Sequence, residues 1–65
     1  MFREDRFREA LQKKGLTIKD VATHLKINTS TLYRKMVGES DFYRAEIQAI
    51  CSLLDIEDPS KIFFA

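Results

Sequence analysis

Two residues, Lys26 and Ile27, are all that separates a pair of amphipathic stretches, and that spacing leaves few folds open. The segment reads Thr17-Ile-Lys-Asp-Val-Ala-Thr-His-Leu-Lys-Ile-Asn-Thr-Ser-Thr-Leu-Tyr-Arg-Lys-Met-Val-Gly38. Thr17, with Asp20 three positions on, matches a capping box, in which each side chain serves a backbone N–H at the start of a helix. Val21, Ala22 and Leu25 then share one face at helical spacing. Asn28 is a favoured N-cap residue and opens a second helix with apolar positions Leu32 and Met36. Gly38 stands where a left-handed glycine closes a helix. The pattern predicts helices over residues 18–25 and 29–37. A link this short holds them at a steep angle, so that one can lie across a nucleic-acid backbone while the other enters the major groove. Ala22 suits such a crossing, which leaves little room for a larger side chain. These residues together spell a helix-turn-helix.

The flanking sequence supplies three more helices and no segment that alternates as a strand would. The first runs from near Asp5 to Lys14, with Phe7, Ala10 and Leu11 inward and Gly15 closing it. Glu9 and Lys13 form an i,i+4 pair in the favourable order. Residues 39–42 form a loop that Phe42 anchors. A fourth helix follows from about Arg44 to Leu54, with Ile47, Ile50, Cys51 and Leu54 on one stripe. Asp58-Pro59 starts a fifth, an N-cap followed by proline in the first turn. The expected fold is an all-α, compact five-helix bundle spanning residues 1–65 as a single domain.

Sixty-five residues lie near the lower limit for an unstapled core, since so short a chain buries only about 60% of its unfolded surface. The apolar share, 45%, is nevertheless too high for a disordered segment. One cysteine and one histidine exclude an internal disulfide and a four-ligand zinc site within one chain. No basic-then-apolar leader and no membrane-length apolar run is present, so a soluble intracellular chain is expected. A glycine-rich phosphate loop, a paired-carboxylate signature and a Ser-His-Asp set are also missing, which argues against an enzyme; no cofactor or small-molecule ligand is expected. His24 reads as a surface or boundary residue and Cys51 as a small buried hydrophobe.

The net charge is only +1, but its distribution is uneven. Residues 13–44 hold seven basic side chains against three acidic ones, whereas residues 45–65 hold one against four. The positive region coincides with the helix-turn-helix and its flanks, as a phosphate-facing surface requires.

With Leu32 and Met36 inward, steps of roughly 100° per residue put Ser30, Tyr33, Arg34 and Val37 on the outer face of the third helix. Ser30 can exchange hydrogen bonds with several base edges, and Arg34 can grip a guanine through O6 and N7. Thr29, at the helix start, can reach a base or a thymine methyl. The base-contact set is therefore Thr29, Ser30, Tyr33 and Arg34. Phosphates are expected at the helix starts at Thr17 and Asn28, where free N–H groups and the helix dipole favour anions. Lys19, Thr31, Lys35 and Arg44 support them, although each cation taken singly could equally be a solubilising residue.

The combination of Gly15-Leu16-Thr17, Val21-Ala22-x-x-Leu25-x-Ile27, Ser30-Thr31-Leu32 and Gly38 resembles the helix-turn-helix family of lambda-type phage repressors and Cro proteins. The run Ser30 to Gly38, then Ser40-Asp41-Phe42, Glu46-Ile47 and the ending Ile56-x-Asp58-Pro59-x-x-Ile62-Phe63-Phe64, is similar to its small single-domain phage regulators. The resemblance extends from Phe7 to Phe64. It implies binding of a double-stranded DNA operator and transcriptional regulation, as a repressor or Cro-like protein, in a bacterial cytoplasm on the nucleoid. It also places Thr29, Ser30 and Arg34 at the family's base-contacting positions, with Tyr33 beside them. Four positions depart from the common pattern: Ile18 for Gln, Lys26 for the turn Gly, Val37 for Asn, and Tyr43 for a capping Thr. One module reads few base pairs, so two copies are expected on a two-fold operator, as a weak homodimer formed mainly on DNA around Ile62, Phe63 and Phe64. The alternative is a protein-interaction module of the same fold, of antirepressor or antitoxin type, which exposure of Phe63 and Phe64 together would favour.

Overall fold

The computed structural model describes residues 1–64 and contains five helices: α1 Glu4–Lys14, α2 Ile18–Leu25, α3 Thr29–Met36, α4 Arg44–Leu54 and α5 Ser60–Phe63. Each contributes to a single core. Phe7 and Leu11 come from α1, Ile18, Val21 and Ala22 from α2, Leu32 and Met36 from α3, Ile50 and Leu54 from α4, and Ile62 and Phe63 from α5. Phe7, Val21, Leu32 and Ile50 are the largest side chains removed fully from water. Truncating a leucine so placed costs about 3 kcal/mol, because the lost transfer energy is joined by a cavity the neighbours cannot fill.

The first four helices end in a shared way. Past α1, Gly15 is left-handed (φ 67°), and the Leu16 N–H donates to Leu11 O at 3.0 Å. Past α2, Lys26 takes the same conformation (φ 61°) and the Ile27 N–H donates to Ala22 O at 3.0 Å. Gly38 (φ 90°) repeats the closure for α3 and Asp55 (φ 55°) for α4, the latter with the Ile56 N–H on Cys51 O at 2.9 Å. Each bond satisfies a carbonyl that the helix end would otherwise orphan. Leu16, Ile27 and Ile56, the residues that follow three of these turns, all pack against the core. The left-handed turn thus redirects the chain, and at three of the four corners it delivers an apolar anchor.

The helix starts are less uniform. Thr17 and Asp20 form the full capping box: the Asp20 N–H donates to Thr17 Oγ1 at 3.2 Å, and the Thr17 N–H to Asp20 Oδ2 at 2.8 Å. Asn28 occupies the N-cap of α3, but its side chain makes no capping bond. Tyr43 likewise caps nothing with its side chain, and Glu46 instead accepts the Tyr43 N–H at 2.8 Å. Asp58 Oδ1 accepts the Ser60 N–H at 3.1 Å, and Pro59, in helical conformation between them, is the N-cap, so α5 opens one residue later than the Asp-Pro pair predicts.

A second aromatic layer covers one end of the bundle. Phe63 lies 5.0 Å from Phe42 and 5.5 Å from Phe2, ring centre to ring centre, and Phe2 lies 5.3 Å from Phe7. The Arg3 N–H donates to Ile62 O at 2.6 Å, tying the first residues to α5. This packing corrects one expectation. Ile62 and Phe63 are buried within the chain and cannot meet a second subunit, whereas Phe64 is 64% exposed. No helix among the described residues is long and apolar enough to cross a membrane.

Candidate nucleic-acid interface

The pairing of α2 with α3 rests on Val21 and Ala22 from one helix and Leu32 and Met36 from the other, all buried. Ala22 keeps the crossing close, and its carbonyl also receives the Ile27 N–H that ends α2. The reversal between the helices therefore belongs to the packed interface.

That packing fixes which side chains α3 turns outward. Ser30, Tyr33 and Arg34 are exposed, as is Val37 just past the helix, while Thr29 and Thr31 are half-buried. The four residues expected to reach bases thus line the outer face and start of one helix. The first turn of α3 receives no acceptor from the Asn28 side chain, so its amide groups stay available to an anion. The start of α2 differs, because the Asp20 carboxylate occupies the Thr17 N–H. Thr17 retains its hydroxyl hydrogen as a donor, beside an exposed Lys19. Arg44, at the first position of α4, is exposed too.

Lys35 departs from the expectation that it contacts phosphate. Its ammonium is buried, donates to Asp41 O at 2.9 Å, and lies 3.0 Å from Glu46 Oε1 and 4.1 Å from the centre of the Tyr43 ring. A cation with three such partners is already neutralised and has no path to a DNA backbone. Lys35 joins α3 to α4 from inside.

Two residues that the sequence reading passed over border the surface. A groove between α1 and the starts of α2 and α3 is lined by Arg8 and Gln12 together with Thr17, Lys19, Thr29 and Tyr33. Arg8 Nε donates to Glu4 Oε2 at 2.8 Å. Glu4 first, and the Tyr33 hydroxyl second, hold the Arg8 guanidinium above its usual pKa. The i,i+4 spacing of Glu4 and Arg8 is visible in the sequence, but the approach of Arg8 to α3 depends on how α1 docks.

The fold and this face define a helix-turn-helix protein. The family model for the Cro/C1-type HTH DNA-binding domain matches residues 6–63, and the chain belongs to that family. Searches of curated proteins and of solved structures find no match to it. Domains of the matched type are DNA-binding regulators, in agreement with the lambda-type resemblance read from the sequence.

Proposed function

We propose that this chain reads a double-stranded DNA operator through α3 and regulates transcription as a phage- or prophage-type repressor or Cro-like protein, blocking polymerase by occupancy. One observation carries the reading: Ser30, Tyr33 and Arg34 stand together on the exposed face of α3, whose other face is locked into the core through Leu32 and Met36. Thr29, Ser30, Tyr33 and Arg34 contact bases. Thr17, Lys19, Asn28, Thr31 and Arg44 contact phosphates, and Lys35 leaves that set. The protein works on the nucleoid of a bacterial cytoplasm.

Two copies occupy one operator, with half-sites about 34 Å apart, the separation of successive major-groove faces. Ile62 and Phe63 are spent on the core, so the subunit contact falls to Phe64 with Met1 and Val37, exposed residues bordering one groove. An interface so small favours a dimer that assembles mainly on DNA. Joint exposure of Phe63 and Phe64 would have favoured the antirepressor or antitoxin reading, and with Phe63 only 6% exposed that particular support is missing. Selection of bound duplexes from a random-sequence pool, followed by sequencing, tests the proposal. Enrichment of a palindromic site is expected; no enrichment at low salt would turn the assignment toward a protein partner.

A further inference from the structure

We infer that Arg8 is a DNA-contact residue held in reserve: in the free protein Glu4 binds it, and on DNA it exchanges that carboxylate for a backbone phosphate in the groove between α1, α2 and α3. The inference deepens the DNA-binding reading and rests on it. The groove is its first support. Its polar rim carries two cations, Arg8 and Lys19, with the hydroxyls of Thr17, Thr29 and Tyr33 and the amide of Gln12, over an apolar floor of Leu11, Leu16 and Ile18. Among the described residues no carboxylate lines it. Three other surface grooves differ in this respect. One mixes Arg3, Arg6 and Lys61 with four acidic residues, another sets Glu9 and Asp55 among its cations, and the third includes Glu4 and Asp41. A cleft with two cations, several groups able to donate and no carboxylate in its lining suits an anion with several oxygens, and a phosphodiester is the anion that α3 would bring there when it enters the major groove.

The second support is the state of Arg8 itself. Its partner Glu4 is one helical turn away, and both side chains are about half exposed (50% and 46%). An ion pair so open to water is readily exchanged. A phosphate can take the guanidinium fork through two parallel bonds, whereas Glu4 now accepts from Nε. Tyr33 of α3 lines the same groove as Arg8, so Arg8 borders both an acid of α1 and a residue proposed to read bases. Glu4 thereby acts as an internal competitor of DNA, and the two residues of the pair have opposite effects on binding.

The opposition makes the inference testable with conservative surface variants, each measured by fluorescence anisotropy on a selected duplex across a salt series. Arg8→Gln should weaken binding about fivefold to tenfold and flatten the slope of log K against log salt by about 0.9, the share of one phosphate. Glu4→Gln should tighten binding about twofold to fivefold in the wild-type background and lose most of that effect when Arg8→Gln is also present. Glu9→Gln, which removes a like charge from the same helix and frees Lys13 instead, serves as the charge control. A Glu4→Gln gain that persists without Arg8, or that Glu9→Gln matches, overturns the inference. An Arg8→Gln variant with an unchanged salt slope does the same while leaving the DNA-binding reading intact. A wild-type chain that binds no duplex at all overturns both.

Discussion

Lys35 Nζ on α3 lies 3.0 Å from Glu46 Oε1 on α4, with 5% and 14% of the two side chains exposed, and this pair ties α3 to α4. The same carboxylate oxygen accepts the Tyr43 N–H, and the same ammonium donates to Asp41 O. One buried pair therefore organises the end of the 37–43 loop and the start of α4. Removing one member leaves the other charge poorly solvated, a larger penalty than the pair itself is worth. Glu46→Ala should cost about 3 kcal/mol in chemical denaturation, and Lys35→Met about 1–3 kcal/mol, since Met refills the space of the lysine stem. Lys35→Met should also leave the salt dependence of DNA binding unaltered. A slope reduced by one phosphate's share would return Lys35 to the DNA surface.

Lys26 is left-handed with φ 61°, a conformation that costs a residue with a Cβ about 1 kcal/mol relative to glycine. Lys26→Gly should raise stability by about 0.5 kcal/mol, the relief of strain exceeding the added freedom of the unfolded chain. Equilibrium urea unfolding measures it. A clear loss would mean that the lysine stem contributes packing in the native state.

Asp58 holds the start of α5 through the Ser60 hydroxyl at 2.6 Å and the Ser60 N–H at 3.1 Å, and these bonds lower its carboxyl pKa. Because the folded pKa lies below the unfolded one, the stabilisation is fully present above the ordinary carboxylate range and fades as pH falls through the lower folded value. The gap in thermal midpoint between wild type and Asp58→Ala should therefore be widest near neutral pH and close in acid. A gap of constant size from neutral to acid would show that the charge of Asp58 contributes nothing.

Cys51 is half-buried on α4, and burial pushes its thiol pKa up. Since the thiolate is the reactive form, alkylation at neutral pH should be several times slower than in the unfolded chain. Equal rates would place Cys51 in open solvent.

The parts of this structure legible in the sequence are those fixed by local rules. The Thr17–Asp20 box, the left-handed closure at Gly15 and the inward pairs Val21–Ala22 and Leu32–Met36 each follow from spacing within about one or two turns. Lys26 was marked because a non-glycine residue fills a turn that resembles a glycine one. Asp55 makes the same turn without being marked, since no neighbouring pattern distinguishes it from an ordinary loop acid. Lys35 was assigned to phosphate on its charge alone. Its spacing from Leu32, three residues, already put it toward the inner face, but its partner Glu46 is supplied by a helix eleven positions on. Arg8 and Gln12 were missed for a related reason: α1 meets the α2 and α3 starts only through tertiary packing, which periodicity within a helix does not encode.

The separation of reading from holding is tested most directly by comparing Arg34→Ala with Lys19→Ala on a panel of duplexes that vary each base of the selected site. Arg34 is exposed on the face of α3 proposed to enter the groove, and Lys19 is exposed near the start of α2, which is proposed to lie against the DNA backbone. Arg34→Ala should cost about 1–3 kcal/mol on the preferred site and flatten preference at one base position per half-site. Lys19→Ala should weaken every sequence to a similar extent and lower the salt slope by about one unit. Equal losses on every sequence for Arg34→Ala, with a profile indistinguishable from that of Lys19→Ala, would contradict the assignment and make Arg34 a phosphate contact.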